Sequence, residues 1–156
     1  MSDHDHNQCQ CHAGPVTTDV FETLDELDFR RGLWSLAQQN DVDEFRRRLP
    51  TIDSKLINKC DASGYTPLHY AVRYQPPIIC RLLLEHGANP NCHTQAARST
   101  AMHRAITFEN LEAIRLLIEY HADLNLKDID GLTPMDKALK LNNEQIVNSL
   151  LTQSTN

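Results

Sequence analysis

Two histidine-bearing patterns are the first candidates for chemistry in this sequence. Near its start, His4-Asp5-His6-Asn7-Gln8-Cys9-Gln10-Cys11-His12 gathers two thiols and three imidazoles within nine residues. Thiolate and imidazole are ligands of zinc and of cuprous ion, so the segment could close round either. Its C-x-C spacing is not the C-x-x-C of a zinc knuckle, and no apolar neighbour would preorganise a cage. A solvated tail without metal is the first expectation, and a metal- or thiol-handling tail is the alternative. The second pattern is His69 and His103, 34 positions apart in similar surroundings. No G-x-S-x-G elbow, P-loop or H-E-x-x-H helix accompanies them. Asp128-Ile129-Asp130-Gly131 has a glycine too early for a calcium loop and lacks its third acidic position. No enzyme and no cofactor are expected.

The scaffold that must position these residues is one domain. The chain has 156 residues and a mass of 17.8 kDa, with 40% hydrophobic and 23% charged residues. A net charge of -6 and a pI near 5.7 argue against a nucleic-acid binder. Arg46-Arg47-Arg48 is only a local basic patch, expected on a solvated helix face. Apolar runs stay far below the roughly 20 residues that cross a bilayer. Ile78-Ile79-Cys80 and Leu82-Leu83-Leu84, for example, are divided by Arg81 and closed by Glu85. The polar, acidic opening lacks a secretory signal, so the five cysteines read as reduced thiols. An intracellular monomer is expected, cytoplasmic with the nucleus left open.

Internal repetition decides the fold. Asp61-Ala-Ser-Gly-Tyr-Thr-Pro-Leu-His-Tyr-Ala71, Gln95-Ala-Ala-Arg-Ser-Thr-Ala-Met-His-Arg-Ala105 and Asp128-Ile-Asp-Gly-Leu-Thr-Pro-Met-Asp-Lys-Ala138 align. Their threonines, Thr66, Thr100 and Thr133, stand 34 and then 33 positions apart. An apolar cluster follows each segment: Leu82-Leu83-Leu84, Leu116-Leu117-Ile118, and Leu150-Leu151. The tails Gly87-Ala88-Asn89-Pro90-Asn91 and His121-Ala122-Asp123-Leu124-Asn125 also match.

Each unit reads as helix, helix, turn. Thr66 can cap a helix that Pro67 opens. Leu68, Ala71 and Val72 then form one apolar stripe, and Ile79, Leu82 and Leu83 form the next. Asp61–Gly64 and Asp128–Gly131 are turn sequences. One such unit cannot bury its apolar face, so units must stack. A degenerate unit precedes these: Asp28 caps a helix with Phe29, Leu33 and Leu36, and Asp41 caps one with Val42, Phe45 and Leu49. Thr23-Leu24-Asp25-Glu26 is spaced as a capping box for a short extra helix. The last unit, with Lys137, Lys140, Asn142, Asn143, Glu144 and Asn148, is polar enough to be a cap. The expected organisation is a disordered tail 1–17, an extension 18–27, units 28–60, 61–94, 95–127 and 128–152, and an end segment 153–156.

On these motifs the chain resembles the ankyrin repeat family, whose signature is T-P-L-H-x-A at a period of about 33. The stretch Glu22–Ala37 followed by Ser63–Ala71 is similar to a small member of that family. The resemblance implies an all-α ankyrin solenoid of three clear repeats and a degenerate N-terminal cap repeat. It also implies that His69 and His103 tie one unit to the next, with Asp136 in their place in the last unit. Cys80 and Cys92 fall where the family packs small apolar residues. The family's left-handed glycine between helices is replaced by Asn40, Gln75, Glu109 and Asn142. Of these, Gln75 precedes Pro76 and Pro77, so its loop should be altered.

The resemblance further implies a non-catalytic adaptor, scaffold or inhibitor that binds a protein across its concave face, without nucleic acid or membrane. The family's contact positions fall on Ala62, Ser63, Tyr65, Arg73 and Tyr74 in the second unit. They fall on Ala96, Ala97, Ser99, Thr107 and Phe108 in the third, and on Ile129, Asp130, Leu132, Lys140 and Leu141 in the last. All are expected to face solvent, where the apolar and aromatic members would form an interaction patch. The four-repeat cyclin-dependent kinase inhibitors match in size but shorten the first helix of their second unit. Equal spacing from Ala71 to Leu82 and from Ala105 to Leu116 predicts no such shortening here.

Overall fold

A computed structural model describes residues 24–52, 54–61 and 63–152. The expected disordered tail, the onset of the extension and the final four residues lie outside them. The described chain is all helical: α1 (Leu24–Gln39), α2 (Val42–Arg48), α3 (Ser54–Ile57), α4 (Pro67–Ala71), α5 (Ile78–Glu85), α6 (Ala101–Thr107), α7 (Leu111–Glu119), α8 (Pro134–Lys140) and α9 (Glu144–Leu151). A 3-10 turn, Leu49–Thr51, follows α2. None of these helices is long and apolar enough to cross a membrane.

Thr66, Thr100 and Thr133 hold extended backbone immediately before α4, α6 and α8, each within a capping box. Asp41 caps α2 as expected, its side chain accepting from the Glu44 amide at 3.1 Å. Asp28 does not cap a helix. Instead α1 runs unbroken through it, so the described end of the extension, 24–27, and the first helix of the first unit are one element. No proline interrupts this stretch, and its one glycine, Gly32, costs a helix only about 1 kcal/mol.

The helices stack in two rows. In one, α4 packs on α1 and α6, and α6 packs on α8; in the other, α5 packs on α2 and α7, and α7 on α9. The core fills the space between the rows, with Phe45, Leu68, Ile79, Leu83, Met102, Ile106, Ile114, Leu117 and Ile146 buried. Burying each such side chain contributes about 1.5–3 kcal/mol, which stacking supplies and a lone unit could not. Arg46, Arg47 and Arg48 are exposed, and Glu44 pairs with Arg47 and Arg48.

The second unit departs from its neighbours. Its first helix, α4, has five residues where α6 and α8 have seven, so the expectation of equal lengths is corrected. The cause lies downstream, where Pro76 and Pro77 offer no amide to a helix and Pro77 already stands at the N-cap of α5. Gln75 precedes a cis peptide bond to Pro76, whereas Asn40, Glu109 and Asn142 hold the left-handed conformation at φ 57°, 52° and 53°. Buried Asn110 supports the altered turn from the next unit. Its Nδ2 donates to the Val72 and Tyr74 carbonyls, both at 2.8 Å.

Candidate interaction surface

The repeat motif builds the latch that holds neighbouring units in register. His69 Nδ1 accepts from the Thr66 amide at 3.1 Å and lies 2.8 Å from Thr66 Oγ1. With Nδ1 accepting, Nε2 carries the proton and donates to the Ser99 carbonyl of the next unit at 3.2 Å. His103 repeats this with Thr100 and the Leu132 carbonyl, at 3.0 Å. Asp136 closes only its own motif, accepting from the Thr133 amide at 2.9 Å and hydroxyl at 2.7 Å. Burial pulls the His69 pKa down to about 4 and lowers that of His103 as well. Both rings are therefore neutral latches, as the resemblance implied.

The turns between units are tied by a second repeated device. Asp61 Oδ1 accepts from the Ser63 and Tyr65 amides, and Asp128 Oδ1 from those of Asp130 and Leu132. The other oxygen of each meets the residue that follows the latch position: Tyr70 Oη at 2.6 Å and Lys137 Nζ at 2.9 Å. Burial, then Asp61, pushes the Tyr70 hydroxyl up to about 12. In the middle unit Gln95 replaces the aspartate and Arg104 occupies the Tyr70/Lys137 position. Arg104 turns back instead, and its Nε donates to the His69 carbonyl at 2.9 Å.

That turn assembles an aromatic and cationic cluster. The Arg104 guanidinium lies 4.7 Å from the centre of the Tyr65 ring and 5.4 Å from that of Phe108. The Arg73 guanidinium lies 5.8 Å from the same Phe108 ring and 5.2 Å from Tyr74. Tyr65 also meets Tyr70 and the edge of His69, with centroids 5.5 and 5.8 Å apart. Tyr74 donates its hydroxyl to the Gln38 carbonyl, which anchors one side of the cluster to α1. Arg73 and Phe108 are exposed, Phe108 by 41%, while Tyr65, Tyr74 and Arg104 are half-buried.

Of the expected contact residues, Tyr65, Arg73, Tyr74 and Phe108 come together. Ser63, Ala96, Thr107, Asp130 and Lys140 are exposed, as are Ile129 (64%) and Leu141 (43%), while Ala97 and Leu132 are half-buried. Ala97 and Ile129 are joined through their backbones at 2.9 Å. Ser99 is buried, contrary to expectation, because its amide and carbonyl close the turn with Thr94 and its carbonyl receives His69. Ala62 lies outside the described residues. Arg104 was missed by the sequence reading; the signal was Gln95 standing where its neighbours have aspartate.

The residues singled out for metal chemistry, His4, His6, Cys9, Cys11 and His12, lie outside the described residues. Among the described residues no group of three histidine, cysteine or acidic side chains could hold a metal ion. Cys60 and Cys80 are free thiols, and burial raises the Cys80 pKa to about 12, as a packed rather than reactive thiol requires. Cys92 is buried as well.

Comparison with known proteins agrees with the stack of latched helix pairs. Residues 63–95 match the ankyrin repeat family model, and residues 83–138 match the model of ankyrin repeats in many copies. The chain thus carries ankyrin repeats, and its fold is an all-α ankyrin solenoid. Human ankyrin repeat domain-containing protein 39 is 36% identical over 86 residues, 55% of this chain and 45% of that protein. Human BCL-6 corepressor-like protein 1 is 43% identical over 86 residues, 55% of this chain and 5% of its own length. Human neurogenic locus notch homolog protein 4 is 38% identical over 90 residues, 57% of this chain and 4% of its own. The chain thus spans less than half the length of each of these relatives. Ankyrin repeats are general protein–protein interaction modules.

Proposed function

We propose that this chain is a non-catalytic interaction module, an adaptor, scaffold or inhibitor. It binds a protein partner across the face built from the turn tips and the α4–α6–α8 row. The observation that carries this reading is the cluster of Tyr65, Arg73, Tyr74 and Phe108. Rings and guanidinium groups are the side chains most enriched at binding hot spots, and these are held together yet still accessible. Ser63, Ala96, Thr107, Ile129, Asp130 and Leu141 extend the face on either side. The test is affinity capture from a cell lysate with the native chain and with Tyr65→Ala/Phe108→Ala, after circular dichroism shows the variant folded. Loss of a specific protein with the variant is expected. Identical captures would move function away from this face.

A second reading rests on α4. Its shortening is the feature that the four-repeat cyclin-dependent kinase inhibitors share, so inhibition of such a kinase is a specific form of this function. Addition of the chain to a cyclin-dependent kinase phosphorylating a histone peptide tests it. Undiminished phosphorylation at saturating chain removes this second reading and leaves the first intact.

A further inference from the structure

The Arg73 and Arg104 guanidinium groups share one ring. Both lie within 6 Å of the Phe108 centre, and each also covers a tyrosine, Arg73 on Tyr74 and Arg104 on Tyr65. Like charges converging on one spot repel each other, and among the described residues no carboxylate pairs with either. The carboxylate positioned to do so by the repeat is missing, because Gln95 stands where Asp61 and Asp128 bind Tyr70 and Lys137. Burial lowers the Arg104 pKa, and the Arg73 charge acts in the same direction. This concentration of positive charge occurs on a chain of net charge -6, so overall charge did not produce it.

Fixed guanidinium planes are suited to carboxylates, which they bind through paired, charge-assisted hydrogen bonds. Arg104 is already oriented by the bond from its Nε to the His69 carbonyl, which lowers the entropy lost on binding. The exposed ring of Phe108 between the two cations offers an apolar contact to the same ligand. We infer that the partner contributes an acidic peptide segment, with Asp or Glu carboxylates on Arg73 and Arg104 and an apolar side chain against Phe108. A long polyanion such as a nucleic acid is disfavoured by the net negative charge of the chain and by exposed Asp130 at a turn tip.

This inference rests on the proposed use of the same face. The test is selection from a random 12-residue peptide library on the full-length chain, on Arg73→Gln, on Arg73→Gln/Arg104→Gln and on Tyr65→Ala/Phe108→Ala. Arg73→Gln is included because Arg73 is exposed and makes no hydrogen bond among the described residues, so it should fold normally. The expected result is enrichment of peptides that pair acidic with apolar residues. Their binding should weaken about tenfold for Arg73→Gln and further for the double variant, and it should decline with added salt. Peptides without acidic bias that still depend on Tyr65 and Phe108 would overturn the acidic partner and retain the face. Peptides indifferent to every variant, or no selected peptides, would overturn both. Equal displacement of the acidic peptides by a 20-nucleotide oligothymidylate would also overturn the inference, in favour of a general anion site.

Discussion

Arg104 reaches back across a unit boundary and donates its Nε to the carbonyl of His69, at 2.9 Å. His69 in turn reaches forward, its Nε2 donating to the carbonyl of Ser99. One residue therefore links the latch that holds the stack together to the cluster that would meet a partner. Stability and binding at this point of the chain should respond to substitution separately, because the latch is buried and the cluster is accessible.

The latch itself should be expensive to remove. His69→Ala leaves the Thr66 amide without its acceptor, removes one of the two donors to the Ser99 carbonyl and opens a void, at a cost of about 2–4 kcal/mol. Asp136→Ala should cost less, since Asp136 bonds only within its own motif. Urea denaturation of the two variants beside the native chain checks the order.

Acid should loosen the stack before it titrates the structural carboxylates. The unfolded chain protonates His69 near the ordinary 6.5, while the folded chain resists until about 4. Stability from this residue is thus full above pH 6.5 and declines as pH falls from 6.5 to 4, by about 3 kcal/mol in all. His103 shifts in the same direction and adds to the decline. Asp128 and Asp136 are shifted down from 3.8, so their contribution begins to disappear only below that value. Melting temperatures between pH 7 and 4 test this, and a flat profile would contradict neutral, buried latches.

Left-handed positions occupied by side chains should accept glycine with profit. Arg98, at φ 48°, stands at the repeat position of Gly64 and Gly131, at φ 79° and 74°. Arg98→Gly should raise stability by about 0.5–1 kcal/mol. Glu109→Gly relieves a similar φ of 52° but loses the bond from Asn143 Nδ2 to Glu109 Oε2, so its gain should be smaller. Gly64→Ala should do the reverse, because its φ is positive and an added Cβ would lie 2.6 Å from the Gln95 amide nitrogen. Thermal melts of the three variants rank them.

Asn110 should prove a keystone of the irregular second unit. Its Nδ2 serves two carbonyls of the turn after α4, and its Oδ1 caps α7 through the Ala113 amide at 3.1 Å. Asn110→Ala should cost about 2–4 kcal/mol, and amide hydrogen exchange should quicken across 72–78 as well as at the start of α7.

Most of the fold was legible because the repeat states its own chemistry. Threonine before proline, histidine three residues on and an apolar stripe gave the starts of α4 and α8, the latch and the buried face. What stayed hidden depends on relations across units. The short α4 reflects two prolines beyond its end and a buried Asn110 supplied by the next unit, so its own spacing looked normal. Ser99 looked like a surface residue because its burial comes from closure on Thr94 and from a histidine 30 positions earlier. Arg104 acquired its role through the absence of an aspartate at position 95. Asp28 looked like a cap because the sequence there does not show that the preceding turns join the same helix.

The most direct test of the account is a photocrosslink. Benzoylphenylalanine is placed at Phe108 in one chain and at Arg115, exposed on α7 of the other row, in a second. Both chains are irradiated in the same lysate. A discrete protein adduct is expected from position 108, reduced about tenfold by Arg73→Gln, and none from position 115. Adducts from position 115 alone would contradict it.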